Sequence, residues 1–204
     1  DGGTSPLSMD TDGDGLNDAL EAGLIEAEVS AKDPDATPPG NEYDTDPTTT
    51  TDGRVADTDG DTLFDGDEDS DHDGRWDPTI ETDPNAYDTD LDGVDDGWEV
   101  FYSVPENCED APTLNPLDPT DAELDGDDDG LLTIEEYELD EHVNGSVVYD
   151  RTVPCDADTD DDDLLDGTEA YGEYSSGGSD PNNADTDGDG LLDGVEDANQ
   201  DGVW

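Results

Sequence analysis

The sequence predicts an irregular fold: tandem short loops linked by short helices, with small local cores and no large hydrophobic core. Three observations predict it: an extreme charge, a shortage of apolar residues and a repeated acidic pattern. The 204 residues include 65 Asp and Glu against 4 Lys and Arg, a formal net charge of -61. Hydrophobic residues make up 28% of the chain, where a typical globular domain has roughly 45–50%. Ordering each residue costs roughly 1.5 kcal/mol of conformational entropy. Burial of so few Leu, Val and Ile side chains does not meet that cost. The bare chain is therefore expected to be largely disordered unless something cationic folds it. The sign of the charge excludes nucleic acid and anionic membrane as partners. No apolar run approaches the length of a membrane span, which argues against direct membrane insertion. No signal peptide is seen, and the chain reads as a mature or excised piece of a secreted protein.

The repeat is D-x-D-x-D-G-[LV]-x-D-x-x-E. It reads DTDGDGLNDALE at 10–21, DTDGDTLFDGDE at 57–68 and DTDLDGVDDGWE at 88–99. It returns as DGDDDGLLTIEE at 125–136, DTDDDDLLDGTE at 158–169 and DTDGDGLLDGVE at 185–196. Six copies that all place Glu at position 12 do not follow from an acidic composition alone. The spacing suits calcium, which takes six to eight oxygens at about 2.3–2.6 Å. A tight loop turns side chains 1, 3 and 5 inward, together with the carbonyl of residue 7. Residue 9 acts directly or through water, Glu at 12 closes the shell with both oxygens, and Gly at 6 permits the turn.

The expected ligands follow by register. They are Asp10, Asp12, Asp14, the Leu16 carbonyl, Asp18 and Glu21, then Asp57, Asp59, Asp61, Leu63, Asp65 and Glu68. The third set is Asp88, Asp90, Asp92, Val94, Asp96 and Glu99, and the fourth is Asp125, Asp127, Asp129, Leu131 and Glu136. Asp158, Asp160, Asp162, Leu164, Asp166 and Glu169 follow, then Asp185, Asp187, Asp189, Leu191, Asp193 and Glu196. Residue 7 offers only its carbonyl, which frees its side chain to pack in a small core. Thr62 and Asp163 at position 6, and Thr133 at position 9, predict weaker or distorted loops.

Two further motifs begin directly after a full loop. One has Asp69, Asp71, Asp73, the Arg75 carbonyl and Asp77 in register, with Glu81 one place late. The other has Asp197, Asn199, Asp201 and the Val203 carbonyl, and breaks off at Trp204. Placed after Trp204, the stretch from Asp1 falls in register with the continuation of the first. The expectation is a repeat joined head to tail with copies of itself, with Asp1 of the next copy completing the last site.

These residues resemble thrombospondin type 3 repeats and their microbial relatives, above all DTDGDGLLDGVEDANQDGVW at 185–204. A single loop is also similar to the EF-hand and dockerin loop, but most loops lack a preceding helix pattern. The resemblance covers most of the chain and fails at 22–56, 100–124 and 137–157. It implies an extracellular, calcium-folded, elongated rod that holds several ions per chain. Eukaryotic members carry frequent Cys pairs, whereas here there are two Cys. Cys108 and Cys155 fit a disulfide or two free thiols. The disulfide is favoured, since neither has the neighbours of a metal or redox motif.

The expected organisation is a first loop and entry turn at 1–21, a helix and Pro/Thr-rich linker at 22–56, and three loops at 57–99. An insert region with one loop and the bridge follows at 100–157, then two full loops and a truncated one at 158–204. Connectors with Ser5-Pro6, Asp83-Pro84 and Asp180-Pro181 are turns that set the spacing. Short helices are expected from Asp18, Gly97 and Ile134, capped by Asp at position 9 where it occurs. Leu20, Leu24, Ile25, Trp98, Val100, Phe101 and Tyr137 are expected in small packed clusters. Thr48 to Thr51 are candidates for O-linked sugar and Asn144 for N-linked sugar. His72 is expected to face solvent. No nucleophile constellation or phosphate loop appears, so an enzyme is not expected. The function expected is a structural unit of a cell-surface, adhesin or matrix assembly, with other surface proteins as further partners. The alternatives are a docking or spacer module of a larger secreted protein, or a soluble calcium buffer.

Overall fold

All six described helices begin at position 9 of a repeat. The computed structural model describes residues 10–24, 49–105, 107–108, 114–139, 151–173 and 178–200. The helices are α1 (Asp18–Glu21), α2 (Asp65–Glu68), α3 (Asp96–Tyr102), α4 (Thr133–Glu138), α5 (Asp166–Glu173) and α6 (Asp193–Glu196). Among the described residues there are no strands. The helices are short because one turn is enough to bring the closing Glu of a loop back toward its third Asp, as Glu21 comes back to Asp14. Residue 9 is thus the first helical residue and not the cap, a correction to the sequence expectation. The cap falls one place earlier. Asn17 accepts from the N–H groups of Ala19 and Leu20, and Asp95 Oδ1 accepts from Trp98 N at 2.6 Å. In α2, α4 and α6 the cap position holds Phe64, Leu132 and Leu192, none with a side-chain cap bond.

Apolar burial is sparse and built from position 7. Leu16, Val94, Leu131 and Leu164 are buried there, joined by Leu20 and Trp98. Leu63 is half-buried and Leu191 exposed. The expected aromatic clusters are only partly present. Phe101 is exposed and meets Tyr102 edge to face at 4.9 Å. Tyr137 lies under the Arg151 guanidinium, 3.7 Å from its ring centre. Leu24 and Val100 are half-buried, and Ile25 lies outside the described residues.

The chain divides into two units, Asp1–Leu91 with Asp95–Trp98, and Asp92–Val94 with Glu99–Trp204. The division falls inside the loop 88–99.

Backbone strain marks the loops. Residues at position 6 are left-handed whether or not they are glycine: φ is +105° at Gly15, +85° at Thr62 and +76° at Asp163. A β-branched residue in this region is an outlier, at a cost of about 1–2 kcal/mol. Thr62→Gly is therefore expected to stabilise the folded chain by about 1 kcal/mol after the added chain entropy, a rise of roughly 2–4 °C in melting temperature. A lower melting temperature would mean that the Thr62 side chain contributes more than its backbone costs.

Candidate metal centres

Each loop is shaped by its own carboxylates. Asp10 accepts from Gly13 N at 2.5 Å and Gly15 N at 3.3 Å. Asp158 does the same with Asp162 N and Asp163 N, both at 3.0 Å, and Asp69 with Asp73 N and Gly74 N. Position 5 accepts from the N–H of position 7, at 2.7–2.8 Å for Asp14, Asp61, Asp129 and Asp162. These bonds engage both oxygens at position 1 and one oxygen at position 5. Both oxygens of Asp12 and of Asp160 are buried without a hydrogen-bond partner, as are Asp14 Oδ2, Asp59 Oδ2 and Asp127 Oδ2.

The centres are completed from the next loop. Asp14 and Glu21 of the first loop and Asp65 of the second are buried, with carboxylate oxygens within 4.8 Å of one another. Asp61, Glu68 and Asp96 repeat the arrangement. So position 9, expected to serve its own loop, stands with positions 5 and 12 of the preceding one. Two devices put it there. The first is a clamp from position 2. Thr58 N and Oγ1 donate to Asp65 at 2.7 and 2.6 Å, and Thr159 N and Oγ1 donate to Asp166 at 2.8 and 2.6 Å. Thr11 and Thr89 hold Asp18 and Asp96 likewise, while Thr186 holds Asp193 through its N–H alone, 3.1 Å from both oxygens. The second is Gly at position 10, whose N–H reaches Oδ2 of the preceding position 5. The distances are 3.1 Å from Gly97 to Asp61, 2.7 Å from Gly167 to Asp129 and 2.8 Å from Gly194 to Asp162. A Cβ on Gly66 would lie 2.6 Å from the Asp14 carbonyl oxygen, and one on Gly167 2.5 Å from that of Asp129.

Four closing glutamates are among the deeply buried charges. Glu21, Glu68, Glu136 and Glu169 are each at most 2% exposed. Glu21 Oε2, Glu136 Oε2 and both oxygens of Glu68 and Glu169 lack hydrogen-bond partners. A hydroxyl from the following connector stands beside each. Thr51 and Thr152 donate to Glu21 and Glu136 at 3.3 and 3.4 Å. Thr82 and Ser179 favour the charged forms of Glu68 and Glu169 without reaching hydrogen-bond geometry. Burial, then neighbouring carboxylates, pushes Glu21 up to about 8. Burial foremost pushes Glu68, Glu136 and Glu169 to about 9. With 4 Lys and Arg in the chain against 65 acids, side chains cannot neutralise such a set. Buried charge without a partner costs several kcal/mol per group. A bound cation is the partner the geometry fits, and an all-oxygen donor set fits a hard one.

The other expected ligands divide. Asp69, Asp71 and Asp73 form a further acidic group. Asp77 is engaged by Thr79 N and Oγ1 at 3.1 and 2.6 Å. Glu81 accepts from Asp77 N at 2.9 Å and Ser70 Oγ at 3.2 Å. The Arg75 side chain is exposed. Asp88 accepts from Leu91 N at 2.7 Å in the first unit, and Asp92 from Val94 N at 2.9 Å in the second. Asp90 is half-buried and Glu99 buried. Asp57 and Asp125 cap their loops through Thr62 N and Gly130 N, both at 3.2 Å. Asp185 is half-buried, Asp187 and Asp189 exposed, while Asp193 and Asp197 are buried and Glu196 is half-buried. Asn199 N donates to Asp197 at 3.3 Å. Asp1, Asp201, Val203, Thr48 and Asn144 lie outside the described residues.

His72 is exposed, but its Nε2 pairs with the Gly66 carbonyl at 2.9 Å. Thr49 and Thr51, two of the candidate sugar acceptors, donate their hydroxyls to the Gly74 carbonyl and to Glu21. Asp83 and Asp180 cap their own turns, accepting from Asn85 N and Asn182 N at 3.1 Å. Cys108 and Cys155 are joined by a disulfide with Cα atoms 5.8 Å apart.

Comparison with family models, curated proteins and solved structures gives no match for this chain.

Proposed function

We propose that this chain is an extracellular structural repeat protein folded by several calcium ions, without enzymatic activity, serving a cell-surface, adhesin or matrix assembly. The observation that carries the reading is the set of buried carboxylate oxygens without hydrogen-bond partners, above all on Glu68 and Glu169. Calcium rather than magnesium is favoured because loop carboxylates, a carbonyl and a bidentate Glu supply a large and flexible shell. Positions 1, 3, 5, 7 and 12 would hold the ion, with position 9 of the following loop. Bound calcium would supply the positive charge that lets these carboxylates be buried ionised. The disulfide supports an oxidising compartment. In calcium-binding structural arrays of this kind the function is mechanical or spatial, which agrees with carboxylates committed to loop closure.

Calorimetry and native mass spectrometry of the full chain test it. Several calcium ions should bind per chain, with dissociation constants up to roughly 10⁻³ M, and magnesium should bind far more weakly. A chain that takes up no calcium at millimolar concentration would overturn the reading.

A further inference from the structure

The stacking rule breaks once, at the loop 125–136. Its position 9 is Thr133 and its position 10 Ile134, where four other loops have Asp-Gly. Its position 2 is Gly126, so the Thr clamp is missing too. Thr133 is fully buried, and its hydroxyl donates to the Leu124 carbonyl at 3.1 Å. Ile134 presses on the preceding loop, where a Cβ on Gly93 would lie 3.1 Å from Ile134 Cδ1. By this substitution Asp92 and Glu99 lose the carboxylate that Asp65 and Asp96 bring to the two loops before them.

A turn just ahead of the loop carries a replacement. Ile134 N donates to the Ala122 carbonyl at 3.0 Å, which fastens residue 122 to the segment resting on Gly93. Its neighbour Asp121 is only 4% exposed. Asp121 Oδ2 accepts from Asn115 N at 2.7 Å and closes the turn. Asp121 Oδ1 is buried and has no hydrogen-bond partner. Burial raises the Asp121 pKa to about 6, the Asn115 N–H opposes this, and the foremost charge acting on it is that of Asp92. An acid buried beside another acid, with one oxygen left over, is what a shared cation requires.

We propose that Asp121 is a calcium ligand, holding with Asp92 and Glu99 the ion whose shell the position-9 Asp completes elsewhere. The assignment rests on the calcium reading above. It makes the connector 114–124 part of a metal centre, and explains how a loop without Asp-Gly still follows its predecessor.

The test is Asp121→Asn in the full chain, which keeps an oxygen for Asn115 N. Calcium alone is the probe, read by native mass spectrometry and calorimetry. One site should weaken by about tenfold or more with the loss of a charged ligand, and the other sites should keep their affinities. Asp118→Asn, an exposed acid of the same turn, should change nothing. Wild-type chain that binds no calcium sinks the parent reading before any variant is compared. Wild-type binding with an unaltered Asp121→Asn sinks only the ligand role. If Asp121→Asn fails to reach the calcium-loaded circular dichroism spectrum, raising calcium decides. Recovery at higher calcium supports a ligand, and no recovery at any concentration assigns Asp121 to the turn alone and overturns the proposal.

Discussion

Removal of calcium is expected to unfold this protein outright. In excess chelator the circular dichroism spectrum should collapse to that of a disordered chain, and the cooperative thermal transition should vanish. The described chain buries more carboxylates than apolar side chains, so its interior is repulsive without cations. Each independent site at a hundred times its dissociation constant contributes about 2.7 kcal/mol. Six such sites contribute roughly 16 kcal/mol, as much as the whole stability of a typical domain. Metal binding and folding are then one equilibrium. A spectrum and melting temperature unchanged by chelator would show that the apolar contacts around Leu20, Leu164 and Trp98 suffice alone.

The pH dependence of the chelated chain follows from the same groups. Folding raises Glu21 to about 8 and Glu68, Glu136 and Glu169 to about 9, from 4.5, by burial first. Asp61, Asp160 and Asp166 rise to about 7 for the same cause. A group raised by folding adds stability that is complete below its unfolded pKa and lost as the pH climbs through the folded one. Metal-free chain, disordered above about pH 9, should therefore regain structure only as the pH falls from there toward about 5. Calcium must displace those protons, so its affinity should rise over the same interval and level off above it. Calorimetry at pH 7 in buffers of different ionisation enthalpy should register proton release. Binding without proton release would contradict the burial of these glutamates.

The loops themselves were legible because their chemistry is local. Asp at 1, 3 and 5 group within five residues and Glu at 12 returns to position 5 of the same loop, so register alone marks these acidic groups. Position 9 was expected with its own loop, and its grouping with the preceding one depends on chain more than thirty residues away, as Gly97 reaches Asp61 and Gly194 reaches Asp162. The signals were nonetheless present. Thr follows the first Asp in five loops, and Asp-Gly occupies positions 9 and 10 in four. Thr or Ser at 51, 82, 152 and 179 stands six residues before a loop. None of these is demanded by the loop that carries it, which is the mark of a contact made elsewhere. The caps were expected one residue late for the same reason. Asp18 is drawn to Thr11, and Asn17 is left to serve the helix. Asp121 had no signal of its own, since a lone acid in an acidic connector looks like solvated chain.

Gly97→Ala is expected to be the most damaging Gly→Ala change among the described glycines. Gly97 lies in α3, where Ala would ordinarily stabilise the helix by about 1 kcal/mol. Here the sign reverses. A Cβ would collide with the Asp61 carbonyl oxygen and lie 2.6 Å from Thr62 Oγ1. The carbonyl belongs to a loop pinned by Leu63 N on Asp61 Oδ1 and by Gly97 N itself on Oδ2, so it cannot retreat alone. The first turn of α3 must move instead, and it takes the Asp96 carboxylate away from Asp61 and Glu68. Overpacking of this kind costs on the order of 3 kcal/mol, a fall of roughly 6–12 °C in melting temperature, and one calcium site should weaken with it. Gly60→Ala separates collision from backbone strain. Gly60 has φ +86° and open space around its Cβ position, so its variant meets strain alone, about 1 kcal/mol. If Gly97→Ala melts no lower than Gly60→Ala in saturating calcium, the loops do not stack through this glycine. If it melts far lower and loses one ion, position 10 is the hinge on which each loop closes its predecessor's metal centre.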